Sequence, residues 1–231
     1  MNFAMALDYQ SCIDCKACEV ACKEENGVQL GADKQRIWVS QVETSIFGKP
    51  FVSLHPSQCN HCLDAPCVDV CPTGASYFAL GGIVMTNKDT CILCKGCMEA
   101  CPYDARFVDD HHVAVDKCTF CYDTRLVNGE MTTACQATCP TKVRLFGDLD
   151  DEESDLVKML NKRKFYFLKE EEKTIPKLFY LLPEHDDHYA SHSVSPDTNI
   201  YTWDEFKPII DKAKAKREGQ WQSVELQSIK S

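Results

Sequence analysis

The sequence lacks any long apolar run. None of its 231 residues lies in a stretch that approaches the roughly 18 consecutive apolar residues of a membrane-spanning helix. The first residues, MNFAMALDYQSC, contain neither the basic segment and cleavage site of a secretory signal nor a twin-arginine motif. We therefore expect a chain that does not insert into a membrane and does not direct its own export.

An excess of positive charge is also missing. The 25 Lys and Arg residues face 35 Asp and Glu residues, which gives a formal net charge of -10. Because proteins that bind nucleic acid neutralise its phosphates with Lys and Arg, nucleic acid is not an expected partner. An acidic body instead suits docking to basic patches on a protein partner.

Cysteine, by contrast, is abundant. The sixteen cysteines form four runs of four, numbered in chain order: Cys12, Cys15, Cys18 and Cys22; Cys59, Cys62, Cys67 and Cys71; Cys91, Cys94, Cys97 and Cys101; Cys118, Cys121, Cys135 and Cys139. Run three is followed by Pro102 and has the spacing C-x2-C-x2-C-x3-C-P, which is typical of [4Fe-4S] ligation. At four thiolates per cluster, the sequence predicts four [4Fe-4S] clusters.

The spacing has a physical reason. Three cysteines two residues apart can wrap a tight loop around one cluster. The fourth lies about one helical turn further on and faces away, so in two-cluster ferredoxins it completes the neighbouring cluster. Clusters are therefore expected in pairs, and a fold that assembles around them is expected to be unstable without them.

The runs are embedded in a repeat. Three segments that begin at the last cysteine of a run align without gaps: CPTGASYF (71–78), CPYDARFV (101–108) and CPTKVRLF (139–146). In each, Pro is expected to stop a short helix before a strand. Strands are also predicted before each run, at 3–7, 51–54, 83–85 and 113–115. Run one is irregular, because Lys23 and an insertion through Arg36 follow Cys22.

The pairing of runs has one favoured solution and one rival. Two strand candidates joined by Gly81-Gly82 lie between Cys71 and Cys91, as expected inside a two-cluster unit. The favoured solution pairs run two with run three and run one with run four. It gives group A (Cys12, Cys15, Cys18 and Cys139), group B (Cys22, Cys118, Cys121 and Cys135), group C (Cys59, Cys62, Cys67 and Cys101) and group D (Cys71, Cys91, Cys94 and Cys97). A pairing of three with four, suggested by the similar linker DARFVDDHHVAVD, is also compatible with the sequence.

Outside the runs, hydrophobic patterns predict a few regular elements. Residues 37–43 and 51–55 alternate around a turn at 47–50 and predict a hairpin. A second region is predicted to contain a helix with a capping box from Asp150 to Glu153 and apolar residues Leu156, Met159 and Leu160. It also contains a strand at 175–182.

The polar segment after Pro183 contains one weakly amphipathic pattern. Thr202 and Glu205 are expected to cap a helix that Pro208 delays or kinks. Its predicted apolar face consists of Phe206, Ile209, Ile210 and Ala213. We expect this segment to lie on a partner rather than to pack on its own chain.

These elements predict an α+β fold of two bacterial-ferredoxin-like modules with an inserted β-hairpin lobe and a C-terminal docking extension. One module contains residues 1–36 and 102–150, and the other contains residues 59–101. Residues 37–58 form the hairpin lobe, 151–183 add a helix and a strand, and 184–231 form the extension.

Zinc, disulfides and catalysis are less compatible with the cysteine pattern. CxxC pairs also bind structural Zn²⁺, but triple cysteines at x2 spacing with C-P ends favour clusters. Disulfide frameworks are smaller and lack this repeat. Catalysis requires a spare metal site or an activated acid–base pair, and the sequence indicates neither. We therefore expect a non-catalytic electron-transfer protein.

Four lysines lie beside the runs: Lys16, Lys95, Lys117 and Lys142. Positive charge near a cluster raises its reduction potential, so these lysines are candidate tuning residues, although ordinary solvated surface lysines are favoured. Several histidines are also candidates. His185, His188 and His192 have helical spacing, but a solvated surface is favoured over a metal site. His55 and His61 flank run two, where they can donate to cluster sulfur or a quinone headgroup; local packing is favoured.

The motifs resemble a known family over residues 1 to about 182. AMALDYQSCIDCKACEVACKEEN, QCNHCLDAPCVDVCPTGA, ACPYDARF, DKCTFC, CPTKVRLFGDLDD and PKLFYL are similar to four-cluster iron–sulfur subunits of molybdopterin oxidoreductases. Such reductases act on polysulfide, thiosulfate, tetrathionate, arsenate or dimethyl sulfoxide, and formate-dependent nitrite reductase systems have similar subunits. The family pairs run one with four and two with three.

The resemblance implies two partners, a molybdopterin-containing catalytic subunit and a quinone-binding membrane anchor. It implies a peripheral position on the cytoplasmic membrane, on the periplasmic side, after export together with the catalytic subunit. A free multi-cluster ferredoxin that shuttles electrons between soluble partners is the alternative. The terminal substrate and the direction of electron flow are not determined by this chain.

Overall fold

The computed structural model describes residues 1–46, 48–184 and 198–222. Its strands are β1 (Phe3–Leu7), β2 (Ile37–Ile46), β3 (Lys49–Gln58), β4 (Ser76–Ala79), β5 (Ile83–Thr86), β6 (Phe107–Asp109), β7 (Ala114–Asp116), β8 (Arg144–Asp148), β9 (Phe165–Tyr166) and β10 (Leu178–Leu181). Its α-helices are α1 (Ala17–Asn26), α2 (Pro66–Asp69), α3 (Gly96–Glu99), α4 (Ala134–Ala137), α5 (Asp155–Lys162) and α6 (Trp203–Arg217). Among these helices, none is long and apolar enough to cross a bilayer.

The strands form one larger sheet and three small ones. The larger sheet has the order β8-β1-β10-β9, with β1 antiparallel to β8 and parallel to β10. Its strands come from both ends of the described chain. The pairs β2-β3, β4-β5 and β6-β7 form separate two-stranded sheets. The protein is therefore a mixed α+β fold, as predicted.

The larger sheet separates two hydrophobic cores. Side chains alternate between the two faces of a strand, and in β1 this places Phe3, Met5 and Leu7 in the core shared with the cysteine runs. Ala4 and Ala6 point to the opposite face, where they pack with α5 and α6. Every residue of β1 is buried, which is why the strand consists entirely of apolar residues.

Helix α6 corrects the expectation that the C-terminal segment does not pack on its own chain. Trp203, Phe206 and Ile210 are buried in the core on the outer face of the sheet, in contact with Phe165 and Phe179. Without α6 this aromatic face would be exposed to water, and burial of such area is the main driving force of packing. The predicted capping box of Thr202 and Glu205 is present.

Two further details of α6 differ from the prediction. The helix begins at Trp203 and continues through Pro208, so Pro208 does not delay it. Ile209 was expected on the apolar face but is exposed. The buried stripe of the helix contains Phe206, Ile210 and Ala213. At 100° of rotation per residue, Ile209 falls just outside this stripe.

The elements before α6 also deviate from the predicted boundaries. The cap of α5 is Ser154, whose side chain accepts from the Val157 amide, so the predicted Asp150 and Glu153 capping box is wrong. The last strand of the sheet begins only at Leu178, because Ile175 has φ +50 and its carbonyl accepts from the Leu63 amide in run two.

Run one differs from the other runs in helix length. Helices α2, α3 and α4 have four residues each, and each ends just before the Cys-Pro pair of its run. Helix α1 has ten residues, ends at Asn26 and is capped by Gly27, which has φ +58. The reason is that Lys23 follows Cys22 where the other runs have Pro, so no ring blocks the next turn.

The predicted hairpin forms between β2 and β3. Its ten residue pairs extend from Ile37 opposite Gln58 to Ile46 opposite Lys49, which is longer than the predicted alternation. Ile37, His55 and Gln58 are buried at its base. The strand predicted at 113–115 also forms, shifted by one residue to Ala114–Asp116.

Candidate metal centres

The backbone of the cysteine loops curls through the left-handed region. Asp14 and Lys16 in run one, and Leu93 and Lys95 in run three, have φ between +52° and +63°. These residues lie between ligands, so the turn brings successive thiols to the same side of the loop. In the left-handed region a side chain other than glycine is strained. This strain is stored at the functional site, as is common for binding loops.

Three cavities are lined by four cysteines each. The first has about 340 Å³ of space and is lined by the cysteines of group A, Cys12, Cys15, Cys18 and Cys139. The second has about 240 Å³ and is lined by those of group B, Cys22, Cys118, Cys121 and Cys135. The third has about 320 Å³ and is lined by those of group D, Cys71, Cys91, Cys94 and Cys97.

The remaining four cysteines also come together. Cys62 interacts electrostatically with Cys59, Cys67 and Cys101, and Cys101 interacts with Cys59 and Cys67. These are the cysteines of group C. Run two thus meets the last cysteine of run three, from a distant part of the sequence.

The four groups follow one another in a row. Cys18 of group A interacts with Cys135 of group B, and Cys118 of group B with Cys59 of group C. In turn, Cys97 of group D interacts with Cys67 of group C. Groups A and D therefore lie at the two ends. The exposed cysteines are Cys15 in group A and Cys94 in group D.

Backbone amides point at several sulfurs. The Ser76 amide donates to Cys71 Sγ, and the Val143 amide donates to Cys139 Sγ. The N···S distance is 3.3 Å in both hydrogen bonds. Ser76 and Val143 lie at neighbouring positions of the aligned repeat segments. Burial raises the pKa of Cys71, but N–H donation outweighs it and the pKa is lowered. Such donors stabilise thiolates.

The donor set fits a polynuclear cluster. Burial, together with the charge of Cys135, raises the pKa of Cys118 to about 12, so the thiolates of one group need a cationic core to balance them. Among the described residues, no three His, Cys, Asp or Glu side chains are close enough to hold a single metal ion. All sixteen cysteines are free thiols. The thiols surround cavities rather than a point, which matches a cube better than Zn²⁺.

The four candidate tuning lysines have different environments. Lys16, Lys95 and Lys142 are exposed. Lys117 is fully buried, and its Nζ donates to the carbonyls of Val84 and Cys118. Burial lowers the pKa of Lys117, while Cys59 and Cys118 oppose the change. Lys117 therefore lies between groups B and C.

The two histidines beside run two pack against aromatic rings, and His61 Nδ1 also accepts from the Val84 amide. His55 Nε2 pairs with Ser53 Oγ at 2.8 Å, and its ring packs on Tyr9. His61 is fully buried and stacks on Phe120 with ring centroids 3.9 Å apart. His185, His188 and His192 lie outside the described residues.

Sequence reasoning missed two buried arginines beside the cysteines, Arg106 and Arg144. They are 6% and 2% exposed. The sequence contained a signal for both, because each is the sixth residue of its aligned repeat segment. The segment at 71–78 has Ser76 at that position. Charged residues are rarely buried without a partner, so an Arg repeated at a fixed distance after a Cys-Pro pair indicates a role beside the cysteines.

Comparison with known proteins identifies iron–sulfur domains in this chain. The 4Fe-4S dicluster domain family matches residues 50–149, and a second 4Fe-4S dicluster domain family matches residues 11–75. The polysulfide reductase chain of Wolinella succinogenes is 42% identical over 178 residues, which cover 77% of this chain and 93% of the relative.

Two further relatives have similar coverage. Protein NrfC from Escherichia coli K12 is 41% identical over 78% of this chain and 80% of its own length. A tetrathionate reductase subunit of Salmonella typhimurium is 38% identical over 78% of this chain and 72% of its own. The chain therefore belongs to the family of 4Fe-4S iron–sulfur electron-transfer subunits of reductase complexes.

Proposed function

We propose that this chain carries single electrons through four [4Fe-4S] clusters, held by groups A to D, between a quinone-linked membrane anchor and a molybdopterin catalytic subunit. The complex is an anaerobic respiratory reductase of the polysulfide, thiosulfate, tetrathionate, arsenate or dimethyl sulfoxide type. When bound, the clusters supply one-electron redox chemistry. We also propose a peripheral position on the periplasmic side of the membrane, because the family resemblance implies export with the catalytic subunit.

The observation that carries the proposal is the row of four cysteine groups. Inner groups B and C are closed from solvent, with Cys22, Cys118, Cys121 and Cys135 buried in B and all but Cys101 buried in C. The end groups each present one exposed cysteine, Cys15 or Cys94. Shielded inner sites and two accessible ends suit transfer between two partners on opposite sides of the chain.

In this proposal the protein holds the clusters, shields them from water and tunes their reduction potentials. The left-handed loops fix the thiols, the Cys-Pro segments place amides on sulfur, and buried cations lie between groups. Within the described chain, nothing indicates an acid–base pair beside an open metal position. Similarity to a thiosulfate reductase electron transfer subunit supports a role in transfer rather than catalysis.

The count of clusters is tested on anaerobically purified full-length protein. We expect about sixteen iron atoms and as many acid-labile sulfides per chain, four per cluster. Four separate one-electron steps are expected in a reductive titration followed by EPR. About eight iron atoms would contradict the proposal.

The grouping is tested by combining substitutions. In the proposed grouping Cys15 and Cys139 serve one cluster, so C15S/C139S should change a single EPR signal. The rival pairing of runs three and four assigns them to two clusters. The matched control C15S/C94S should change two signals under either pairing.

The partners are tested by affinity purification from cells grown anaerobically. We expect a molybdenum-containing subunit and a membrane protein in stoichiometric amounts. If four clusters are present but the chain purifies alone from both membrane and soluble fractions, a free ferredoxin would be the better description.

A further inference from the structure

Several cations are buried beside the cysteines without a carboxylate to balance them. Within the described residues, no Asp or Glu forms an ion pair with the side chain of Arg106, Arg144 or Lys117. Buried Arg36 provides the contrast, because its guanidinium forms an ion pair with Asp116 at 3.0 Å. An unpaired buried charge is strongly destabilising. These cations therefore require another anion.

Arg144 lies between groups A and B. It lines the group A cavity, and its Nη1 donates to Gln58 Oε1 at 2.5 Å. Nη2 is buried and has no hydrogen-bond partner. The charge of Arg144 interacts with Cys18 of group A and with Cys135 and Cys118 of group B. One guanidinium thus acts on thiols of two neighbouring groups.

Arg106 has the same relation to groups C and D. Its Nη2 donates to Ser76 Oγ at 2.9 Å, and Ser76 lines the group D cavity. Nε and Nη1 are buried without partners. The charge of Arg106 interacts with Cys97 of group D and with Cys59 and Cys67 of group C.

The two arginines are equivalent in the repeat. Each is the fifth residue after the last cysteine of its run, and each precedes or begins a strand. Each also leaves buried N–H groups unpaired beside the cysteines. Unpaired buried donors are rare in proteins and indicate a ligand that satisfies them. The sulfur atoms and net negative charge of a thiolate-bound cluster satisfy both requirements.

We propose that Arg106 and Arg144 are tuning residues, each the shared counter-charge of the two clusters in its own pair. This inference rests on the proposed function and extends it. A cation near a cluster stabilises the added electron, so each arginine raises two reduction potentials together. The clusters of one pair are thereby kept close in potential, which favours transfer between them.

The test neutralises each arginine without deleting it. Q58E places a carboxylate on Arg144 with nearly the same shape, and Gln58 Nε2 has no partner to lose. S76D places a carboxylate beside Arg106 at the position of the hydroxyl that now accepts from Arg106 Nη2, although the new side chain is larger. Q58E should lower the potentials of clusters A and B, and S76D those of C and D. We expect about a tenfold change in each reduction equilibrium constant, about 59 mV for one electron.

Direct removal provides the second set of variants. R144Q should lower the reduction potentials of clusters A and B, and R106Q those of clusters C and D. R144K and R106K retain the charge and should shift these potentials less. The matched control is K162Q, at an exposed position of α5, which packs on the face of the sheet away from the cysteines. It should cause no shift comparable to these. Potentials are measured by EPR-monitored titration, with signals assigned from the cysteine variants, and iron content is determined for every protein.

The outcomes separate the two claims. A shift in one cluster, in all four or in none would overturn the shared role of the arginine. If a variant loses iron, it should lose both clusters of its own pair. Loss of clusters from both pairs would also overturn the shared role of the arginine. Wild-type protein without four reducible clusters would contradict the proposed function instead.

Discussion

The cysteine-rich region and the sheet with its two helices are stabilised by different means. Around the cysteines, regular structure is limited to two-stranded sheets, four-residue helices and α1. Such elements are at best marginally stable alone. The four-stranded sheet instead buries Phe165, Phe167, Phe179 and Phe206, which pack edge-on or tilted against one another. This second region is an ordinary hydrophobic core.

The difference shows where metal replaces hydrophobic burial. In the cysteine region, buried thiols and unpaired cations such as Arg144 oppose folding unless a cluster balances them. In the sheet and helices, apolar contacts carry the stability without cofactor. β1 belongs to both regions, because its alternate side chains pack into the two cores.

Removal of iron should produce the largest effect and separate the two regions. After anaerobic chelation, we expect the amides of β4-β5 and β6-β7 to lose their protection from hydrogen exchange. Those of α5 and α6 should lose less, because the core in which both helices pack does not contain cysteine. Hydrogen exchange read by mass spectrometry measures both in one sample. Equal loss throughout would show that the two regions fold as one unit.

Substitution of Phe206 tests the ordinary core from the other side. Phe206→Ala should lower the free energy of unfolding by about 3–5 kcal/mol, because a buried aromatic ring is lost. Ile209→Ala, at an exposed position of the same helix, should change it by about 0.5 kcal/mol or less. Thermal unfolding followed by circular dichroism measures both. A similar effect of the two substitutions would contradict the packing of α6 on the sheet.

Iron–sulfur absorption provides a further readout for the same variants. At temperatures where Phe206→Ala remains folded, its iron content should equal that of the unmodified protein, since Phe206 packs on the face of the sheet away from the cysteines.

The smallest effect concerns the contact between the two regions. Gly81, at the turn of β4-β5, has φ +74, and a Cβ there would overlap Phe3 of β1. Gly129 has φ +82 with nothing within 4 Å. Ala at either position costs about 1–2 kcal/mol of left-handed strain, and Gly81→Ala should cost about 1–3 kcal/mol more from overpacking. Chemical denaturation compares the two; equal losses would show that the contact is not tight.

Much of the fold was predictable because it depends on local sequence. β1 was predicted with its observed bounds, since five consecutive apolar residues between turns indicate a buried strand. The cap at Thr202 was predicted from a pattern only four residues long. The cap of α5 was not, because Asp150 and Glu153 imitate the pattern while Ser154 has the required geometry.

Other features were not predictable, because they depend on distant contacts. The polar composition after Pro183 hid the role of α6, whose few apolar residues suffice because Phe165 and Phe179 provide the rest of the core. The candidate lysines were chosen by adjacency in sequence, yet only Lys117 is buried, whereas Arg106 and Arg144 reach the cysteines from a repeat position five residues away.

By itself, the sequence determined which cysteines are the candidate ligands and which chemistry they favour, because the spacing of cysteines within a run fixes how a short loop can present thiols to a cube. Tertiary structure decided which distant cysteines meet around each cavity and which cations are shut in with them. Those arrangements form because segments that are far apart in the sequence pack on the two faces of one sheet. No local sequence pattern determines which distant segments come into contact.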